Sequence, residues 1–284
     1  GSEIVGVVPC EAMLLAGKHY LQRMRKPTGI PVRDILETAV QSMGLREVAA
    51  FDLDKKIIGI PHASGPLVNQ KIADFVDEVS RDTPAPGGGS IAALAGALSA
   101  ALAAMVVNLS AGKSEFDARF EDLCALAEEA QKLKDELVHA IDADTEAFNS
   151  VLQALRLPKD TAEQKSTRSA TMREGYKSAA RVPLQTAEHC FAALQLCLHA
   201  AQLGNHAVMS DAGVGALMAF AGLQGAIYNV RINLPNTHDA AFIAEMNAQL
   251  GNMIEDGKKI CAEVQSEVEK SLSMPVKPAS GGKE

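Results

Sequence analysis

The feature that most constrains this chain is a long charge-free stretch that follows three glycines. Gly87, Gly88 and Gly89 precede Ser90, and no charged residue occurs from 91 to 112, where alanine is the commonest residue. The glycines end any earlier element, and the Ser90 side chain can accept from the free backbone N–H groups of a new helix. Alanine is the best helix former and has little side-chain bulk. The stretch therefore predicts a central helix that neighbouring helices approach closely on every side.

Two alternatives compete for this stretch. Its length would suit a transmembrane helix, and residues 212–230 form a second charge-free run. However, Ser99, Asn108 and Ser110 interrupt the first run, and the chain has no tryptophan for an interfacial belt. Glycines before a helix also suit phosphate binding, but the G-x-x-x-x-G-K-[ST] signature is absent. We therefore expect neither a membrane span nor a nucleotide site.

Composition and charge narrow the class of protein. Hydrophobic residues make up 47% of the 284 residues but aromatic residues only 4%, which favours closely packed helices. The net charge of −8 disfavours nucleic-acid binding. The five cysteines include no C-x-x-C pair, and the histidines lack metal-ligand spacing. This pattern favours reduced thiols in the cytoplasm over disulfides or a metal site.

The chain divides at a short linker that contains Pro and Gly. Residues 1–62 predict two helices and one short strand, which suits a remnant of a larger α+β domain because so few elements bury little core. Residues 63–66 form the linker, and residues 67–273 predict an all-α domain without strands. The tail, residues 274–284, holds two prolines and two glycines and is predicted to be disordered.

Local signals predict the helices of the all-α domain. A capping box at Thr161 and Gln164 opens one helix, and Pro183 suits the first turn of another that ends at Gly204. Either Ser210 or Asp211 can cap a later helix. The predicted helical segments are 67–80, the central stretch, 114–155, 161–181, 183–204, 210–234 and 239–272.

One acidic residue falls in the apolar face of the helix predicted over 114–155. Helical spacing places Asp144 between Ile141 and Phe148, whereas Asp142 and Glu146 project elsewhere and are expected to be solvated. Burying an ionised carboxylate costs several kcal/mol, and desolvation raises its pKa. A carboxyl of raised pKa suits a general acid or base near neutral pH. The alternative is an aspartate that bonds a nearby helix terminus and has no chemical role.

A second unusual face follows on the helix predicted over 210–234. Asn229 and Asn233 lie one turn apart, with Gly222, Gly225 and Ala226 on or near the same face. The pattern predicts a narrow polar groove, and the alternative is close helix packing with amide hydrogen bonds.

Four further polar residues flank the ends of these two helices. Asn205, Ser210 and Asp211 bracket the start of the later helix, where they could line a cleft. Lys113 follows the central helix and could meet an anionic ligand or remain solvated.

Several motifs, in order, resemble the formimidoyltransferase-cyclodeaminase family. The resemblance covers about residues 67–272, and the opening residues 1–9 resemble the end of that family's transferase domain. The motifs are DTPAPGGGS at 82–90, DADTEAF at 142–148, LPK at 157–159, GN at 204–205, SD at 210–211 and AIYNVRINL at 226–234.

The resemblance implies an all-helical cyclodeaminase fold, at least a homodimer, and no metal or prosthetic group. It also implies an ammonia lyase that converts 5-formimidoyltetrahydrofolate to 5,10-methenyltetrahydrofolate and ammonia in histidine degradation. Asp144 matches the family's catalytic aspartate. The residues that match the substrate pocket are Gly87, Gly88, Gly89, Ser90, Lys113, Asn205, Ser210, Asp211, Asn229 and Asn233.

The implied partners are a reduced, polyglutamylated folate and, in the full-length protein, the formimidoyltransferase domain. Because most of that domain is absent from residues 1–62, we expect no transferase activity. Two alternatives stay open: a methenyltetrahydrofolate cyclohydrolase, and a non-catalytic folate-binding dimerisation domain.

Overall fold

The computed structural model describes residues 2–273, so the predicted tail at 274–284 lies outside the described residues. Helices dominate, which confirms the all-α fold with a small mixed N-terminal part. The α-helices are α1 (Cys10–Arg23), α2 (Val32–Ser42), α3 (Leu53–Lys56), α4 (Ile72–Val79), α5 (Gly88–Ala111), α6 (Phe120–Leu155), α7 (Ala162–Leu203), α8 (Met209–Asn233), α9 (Ala240–Leu250) and α10 (Met253–Leu272). Short 3₁₀ helices cover Ser114–Arg119, His206–Val208 and Leu234–Thr237.

The N-terminal unit contains two short strands rather than the single predicted one. Strand β1 (Val8–Pro9) pairs in parallel with β2 (Ile57–Ile58). The unit has its own apolar cluster, which includes Leu36, Ala39 and Val40. It packs on α5 and α6 through the loop after α1, where the Gly29 carbonyl accepts from Asn108 Nδ2 at 2.8 Å and from Gln131 Nε2 at 3.2 Å.

Helix α5 is the central element, as the sequence predicts. It packs against α6, α7 and α8, and Ala93, Ala100 and Ala103 are completely buried. Small residues on the partner helices allow the close approach. At Gly222 of α8, an added Cβ would lie 2.8 Å from the Ala92 carbonyl oxygen and 2.8 Å from Cys190 Sγ.

The start of α5 differs from the prediction. The helix begins at Gly88, with Gly87 as its N-cap and no side-chain cap. Ser90 lies inside the first turn, where its Oγ donates to the Ile141 carbonyl at 2.7 Å. The predicted capping role of Ser90 is therefore wrong, because the helix has already begun at Gly88 and Gly89.

Helix α7 is continuous through Pro183, so the predicted break before that residue is wrong. The capping box at its start is confirmed, with Thr161 and Gln164 exchanging hydrogen bonds. Proline has no N–H to donate to the carbonyl four residues earlier, which is that of Ala179. That carbonyl instead accepts from Asn233 Nδ2 of α8 at 2.9 Å. A tertiary hydrogen bond thus replaces the missing helical one.

Two further boundaries differ from the prediction. Helix α8 begins at Met209 without a side-chain cap, so neither Ser210 nor Asp211 caps it, and both lie in its first turn. The helix predicted over 239–272 is broken into α9 and α10 at Gly251, whose φ of 41° lies in the left-handed region that glycine tolerates.

Among residues 2–273, two helical segments are long and apolar enough to cross a membrane, Gly88–Ala111 and His206–Thr237. The most apolar window of the first is 67% buried inside the protein, and that of the second is 44% buried. Burial of most of the window, as in the first segment, is typical of a core helix of a soluble protein. The expected absence of a membrane span stays a prediction.

The close packing of α8 on α5 generates a testable prediction. Gly222→Ala places a methyl group against a backbone carbonyl that cannot move freely, so we expect a loss of about 1–3 kcal/mol in the free energy of unfolding. In Gly225→Ala, the matched control one turn later, the new Cβ meets nothing closer than 3.4 Å. Both variants gain the same helix propensity, so urea unfolding isolates the clash. Equal stabilities would contradict this packing.

Candidate active site

The cleft that contains Asp144 lies where α6, α8 and the start of α5 converge. It has a volume of about 140 Å³, and Gly87, Gly88, Asn229 and Asn233 also line it. Five of the predicted site residues therefore meet in one place, although they come from three separate segments of the chain. A larger cleft of about 450 Å³ shares Gly87 and Gly88 and continues between α5 and α8.

Another cavity, of about 350 Å³, lies under α4 and is almost entirely apolar. Leu67, Phe75, Ile91 and Ile141 line it together with one amide side chain, Gln70. It contains no titratable group that could move a proton. We therefore place the chemistry in the smaller cleft, which holds a carboxyl group.

The Asp144 carboxyl packs against the first turn of α5. The Ser90 backbone N–H donates to it, and a Cβ added at Gly89 would overlap its Oδ1. Burial raises the pKa of Asp144 above its ordinary value, and the Ser90 N–H opposes that shift without cancelling it. No charged side chain of the described residues contributes to the shift.

The structure has features of both alternatives that the sequence left open for Asp144, a proton-carrying carboxyl and an aspartate that bonds a helix terminus. The carboxyl does bond a helix terminus, and it is also held where the neutral form is favoured. A helix N-terminus stabilises negative charge, so the ionised form is not prohibitively costly. The carboxyl can therefore exist in either protonation state, which is what a proton carrier requires.

The two asparagines of α8 have their amide nitrogens occupied by backbone carbonyls. Asn229 Nδ2 donates to the Gly225 carbonyl at 2.8 Å, and Asn233 Nδ2 donates to the carbonyls of Ala179 and Asn229, both at 2.9 Å. Each amide oxygen remains without a hydrogen bond to another described residue. Both asparagines line the cleft together with Asp144, and a free amide oxygen can accept from a ligand that carries N–H groups.

Ser90 contributes to the site through its backbone rather than its side chain. Its Oγ is completely buried, donates to the Ile141 carbonyl and lies 3.2 Å from Thr145 Oγ1. These contacts tie the start of α5 to α6 beside Asp144.

The other predicted site residues lie at the opposite end of α5 and α8. Lys113 follows the last turn of α5, and Ser210 and Asp211 lie in the first turn of α8. Asn205 is engaged locally: its N–H donates to Ser110 Oγ at 2.7 Å, and its Oδ1 accepts from the Ala207 N–H at 3.0 Å. The 24 residues of α5 span about 36 Å at 1.5 Å per residue. Within one chain this second group does not reach Asp144.

Asp142 is the residue that the sequence interpretation missed. It is only 4% exposed, and its Oδ1 and Oδ2 accept from the backbone N–H groups of Leu67 and Val68 at 2.8 and 3.1 Å. The expectation that Asp142 is solvated is therefore wrong. Helical periodicity identified the face of α6 that packs on α5, but it carries no signal for a linker that packs on another face.

The cysteines and histidines show no sign of metal or disulfide chemistry in the part of the chain that the structure describes. No group of three or more His, Cys, Asp or Glu residues there could hold a metal ion. All five cysteines are free and buried. Burial raises the pKa of Cys190 to about 12 and that of Cys197 to about 11, so both thiols stay protonated and unreactive.

Comparison with known proteins gives two family matches along the chain. The model described as "Formiminotransferase-cyclodeaminase" matches residues 71–252, and "Formiminotransferase domain" matches residues 1–61. These matches confirm the resemblance found in the motifs, while the precise limits of the linker stay a prediction.

Similar proteins include both bifunctional and single-domain relatives. Formimidoyltransferase-cyclodeaminase from Gallus gallus is 34% identical over 277 residues, which cover 95% of this chain and 50% of the relative. Methenyltetrahydrofolate cyclohydrolase from Methylorubrum extorquens is 38% identical over 204 residues, which cover 70% of this chain and 98% of the relative. The chain thus spans about half the length of the bifunctional relative.

A solved structure has the same fold. The crystal structure of formiminotetrahydrofolate cyclodeaminase from Thermotoga maritima matches with a TM-score of 0.65 at 24% identity, covering 72% of this chain and 98% of the other. At this identity the likeness supports the fold alone. Because a family model matches most of the chain and the chain covers nearly all of a relative at 38% identity, the chain belongs to the formiminotransferase-cyclodeaminase family.

Proposed function

We propose that this chain is a formimidoyltetrahydrofolate cyclodeaminase, which forms 5,10-methenyltetrahydrofolate and ammonia from 5-formimidoyltetrahydrofolate. The observation that carries the proposal is the Asp144 carboxyl, whose pKa burial raises and which lies at the first amides of α5 in a cleft. Family membership supplies the substrate class.

The reaction needs one proton removed and one proton delivered. The substrate enters as the formamidinium cation, whose terminal nitrogen carries two hydrogens. The p-aminobenzoate nitrogen of the folate attacks the formimidoyl carbon and loses its proton, and the tetrahedral adduct, once its terminal nitrogen has received a proton, expels ammonia and leaves the methenyl cation. A single carboxyl can take the first proton and give it to the departing nitrogen, so that charge balances over the cycle. A pKa raised towards neutral pH makes both transfers accessible.

Other groups in the cleft have supporting roles in this proposal. The Ser90 N–H and the N-terminus of α5 stabilise Asp144 when it is ionised. The amide oxygens of Asn229 and Asn233 accept from N–H groups of the substrate. No step requires a metal or a prosthetic group.

We place the reaction in the cytoplasm, within histidine degradation, and we expect no transferase activity from residues 1–62.

One observation favours a second candidate, methenyltetrahydrofolate cyclohydrolase. The relative from Methylorubrum extorquens carries that name and is covered over 98% of its length. In that reaction Asp144 would take a proton from the attacking water. The match of residues 1–61 to a transferase domain favours the cyclodeaminase, because fusion places this domain beside the step that makes the formimidoyl folate.

Ammonia release from formimidoyltetrahydrofolate, compared with hydrolysis of methenyltetrahydrofolate, separates the two functions. Hydrolysis alone would overturn the proposed cyclodeaminase activity.

We further propose that the active form is at least a homodimer that pairs through one apolar face. On α5, Ile91, Leu98 and Met105 recur every seven residues and are exposed, a spacing typical of helices that pair. The face consists of Ile91, Leu98, Met105 and Leu109 of α5 with Val214, Leu217, Tyr228 and Ile232 of α8.

The size of the cleft and the position of the second residue group support this pairing. A cleft of about 140 Å³ is smaller than the roughly 300–1,000 Å³ that encloses a drug-sized ligand. A two-fold axis across the apolar face would run the two α5 helices antiparallel. Lys113, Asn205, Ser210 and Asp211 of one copy would then approach the Asp144 cleft of the other, where the lysine suits the carboxylates of a polyglutamylated folate.

The first prediction concerns turnover. Asp144→Asn keeps the shape of the side chain but removes its ability to carry a proton, so we expect kcat to fall at least about 100-fold while folate binding persists. Glu146→Gln, an exposed position on the same helix, is the control and should keep wild-type turnover. Steady-state ammonia release provides the measurement. Undiminished turnover in Asp144→Asn would show that the Asp144 carboxyl does not carry the proton.

The second prediction concerns stability and pH. Because the pKa of Asp144 is raised in the folded state, the folded chain binds more protons than the unfolded chain between the ordinary and the raised pKa values. The contribution of Asp144 to stability therefore decreases as pH rises through that window. Asp144→Asn, which stays neutral, should gain stability relative to wild type over the same range. Urea unfolding at several pH values tests this, and parallel pH profiles would contradict it.

The third prediction concerns the apolar face. Leu98→Glu buries a charge in the proposed interface, so we expect light scattering to show a shift from dimer towards monomer, with loss of turnover. Leu15→Glu, at a more exposed leucine of α1, should leave the mass unchanged. A monomeric wild type, or an unchanged mass for Leu98→Glu, would rule out this interface.

A further inference from the structure

Asp142 is a buried carboxylate that the proposed reaction does not use. Its two oxygens accept from the consecutive backbone N–H groups of Leu67 and Val68, at the point where the linker enters the all-α domain. Gly65 packs so closely on the same carboxylate that an added Cβ would overlap Oδ2. No lysine or arginine among residues 2–273 forms a salt bridge with it. Among the described residues, the two backbone amides are therefore the only groups observed to offset the cost of burying this charge.

The turn of α6 that carries Asp142 is held from two sides. On one side, the Asp142 carboxylate holds the linker. On the other, the Ile141 carbonyl accepts from Ser90 Oγ, and Asp144 accepts from the Ser90 N–H. Leu67, which follows the linker, packs in the same apolar cluster as Ile141 and Ala93 of α5. One turn of α6 thus connects the linker to the start of α5.

An apolar side chain could fill this position at a lower desolvation cost, since burying a charge is expensive even when it is hydrogen-bonded. A carboxylate fixes the local geometry in a way that an apolar side chain does not. Its two charge-assisted hydrogen bonds set both the position of the linker and the rotation of the turn about the helix axis. Asp144 lies two residues further on that turn, so a small rotation would move its carboxyl away from the α5 amides.

We propose that Asp142 is a positioning residue that, by clasping the linker at Gly65, Leu67 and Val68, holds the Asp144 carboxyl at the N-terminus of α5. This inference rests on the proposed role of Asp144 in proton transfer.

The chain segment that leads into the linker is held in place at two points. The N-terminal unit is itself anchored at Gly29, by Asn108 of α5 and Gln131 of α6, and by a 2.8 Å ion pair between Lys18 and Glu128 of α6. The segment between that anchor and the Asp142 clasp is therefore held at both ends. The clasp links residues 1–62 to the turn that carries the proposed catalytic group.

The test breaks the clasp from each side and observes Asp144 directly. Gly65→Ala pushes the carboxylate aside without changing any polar group, and Asp142→Asn keeps one acceptor oxygen, so both variants should fold. Gly112→Ala, where an added Cβ meets nothing within 4 Å, is the glycine control. The Asp144 carboxyl carbon is titrated by NMR in ¹³C-aspartate-labelled protein, with Asp144→Asn providing the assignment, and kcat and KM are measured in parallel.

We expect both clasp variants to lower the pKa of Asp144 towards its ordinary value, because water reaches the displaced carboxyl. The loss of the Ser90 hydrogen bond acts in the opposite direction, but burial is the larger cause of the shift. The groups that face Asp144 across the cleft, from the loop before α5 and from α7 and α8, include no titratable side chain. Gly65→Ala changes no charge, so its shift reports hydration, whereas Asp142→Asn also removes a neighbouring negative charge, which lowers the pKa of Asp144 by itself. The kcat should fall by about 10- to 100-fold, as expected for a misplaced catalytic group. The double variant should be no worse than the more impaired single variant, since both changes break the same contact.

An unchanged Asp144 titration and an unchanged kcat, with only a lower unfolding free energy, would show that Asp142 serves the fold alone and would overturn the proposal. The NMR arm does not depend on turnover. If wild type acts on neither folate, the proposed function fails, while the titration still decides whether the clasp positions Asp144.

Discussion

The whole arrangement depends on how closely the Asp144 carboxyl can approach the first turn of α5. That approach requires Gly89, where any side chain would overlap the carboxyl, and it requires α6 to lie close along α5. The alanines and glycines of α5 and α8 also allow close helix packing around this site, because small residues let helix axes come together. Burial favours the neutral carboxyl, while the helix N-terminus stabilises the ionised form. The balance between these two effects is the chemical property that the fold provides.

Signals that are local in sequence predicted their part of the structure well. The central position of α5 followed from its lack of charge and its alanine content, and the capping box at Thr161 followed from a pattern of four residues. The partly buried position of Asp144 followed from helical spacing alone, because such spacing shows an acidic residue within an apolar stripe. These inferences succeed because a helix converts spacing along the chain into a face in space.

Features that depend on distant partners could not be predicted in the same way. Continuity of α7 through Pro183 depends on Asn233 of another helix, which supplies the missing hydrogen bond. The burial of Asp142 depends on the linker, and no periodicity in α6 shows where a linker packs. The motifs placed Lys113, Asn205, Ser210 and Asp211 in the substrate pocket, but in a single chain they lie far from Asp144. A sequence motif can identify the residues of a site, but it does not show whether they come from the same copy of the chain or from a second copy.

In the proposed reaction, the Asp144 carboxyl is the group that exchanges protons with the folate nitrogens. A crystal structure with a bound, unreactive analogue of 5-formimidoyltetrahydrofolate tests it most directly. We expect an Asp144 carboxyl oxygen within about 2.6–3.2 Å of the p-aminobenzoate nitrogen or of the formimidoyl nitrogen, or joined to it by one water. A pterin bound in the apolar cavity under α4, with Asp144 out of reach of both nitrogens, would contradict it.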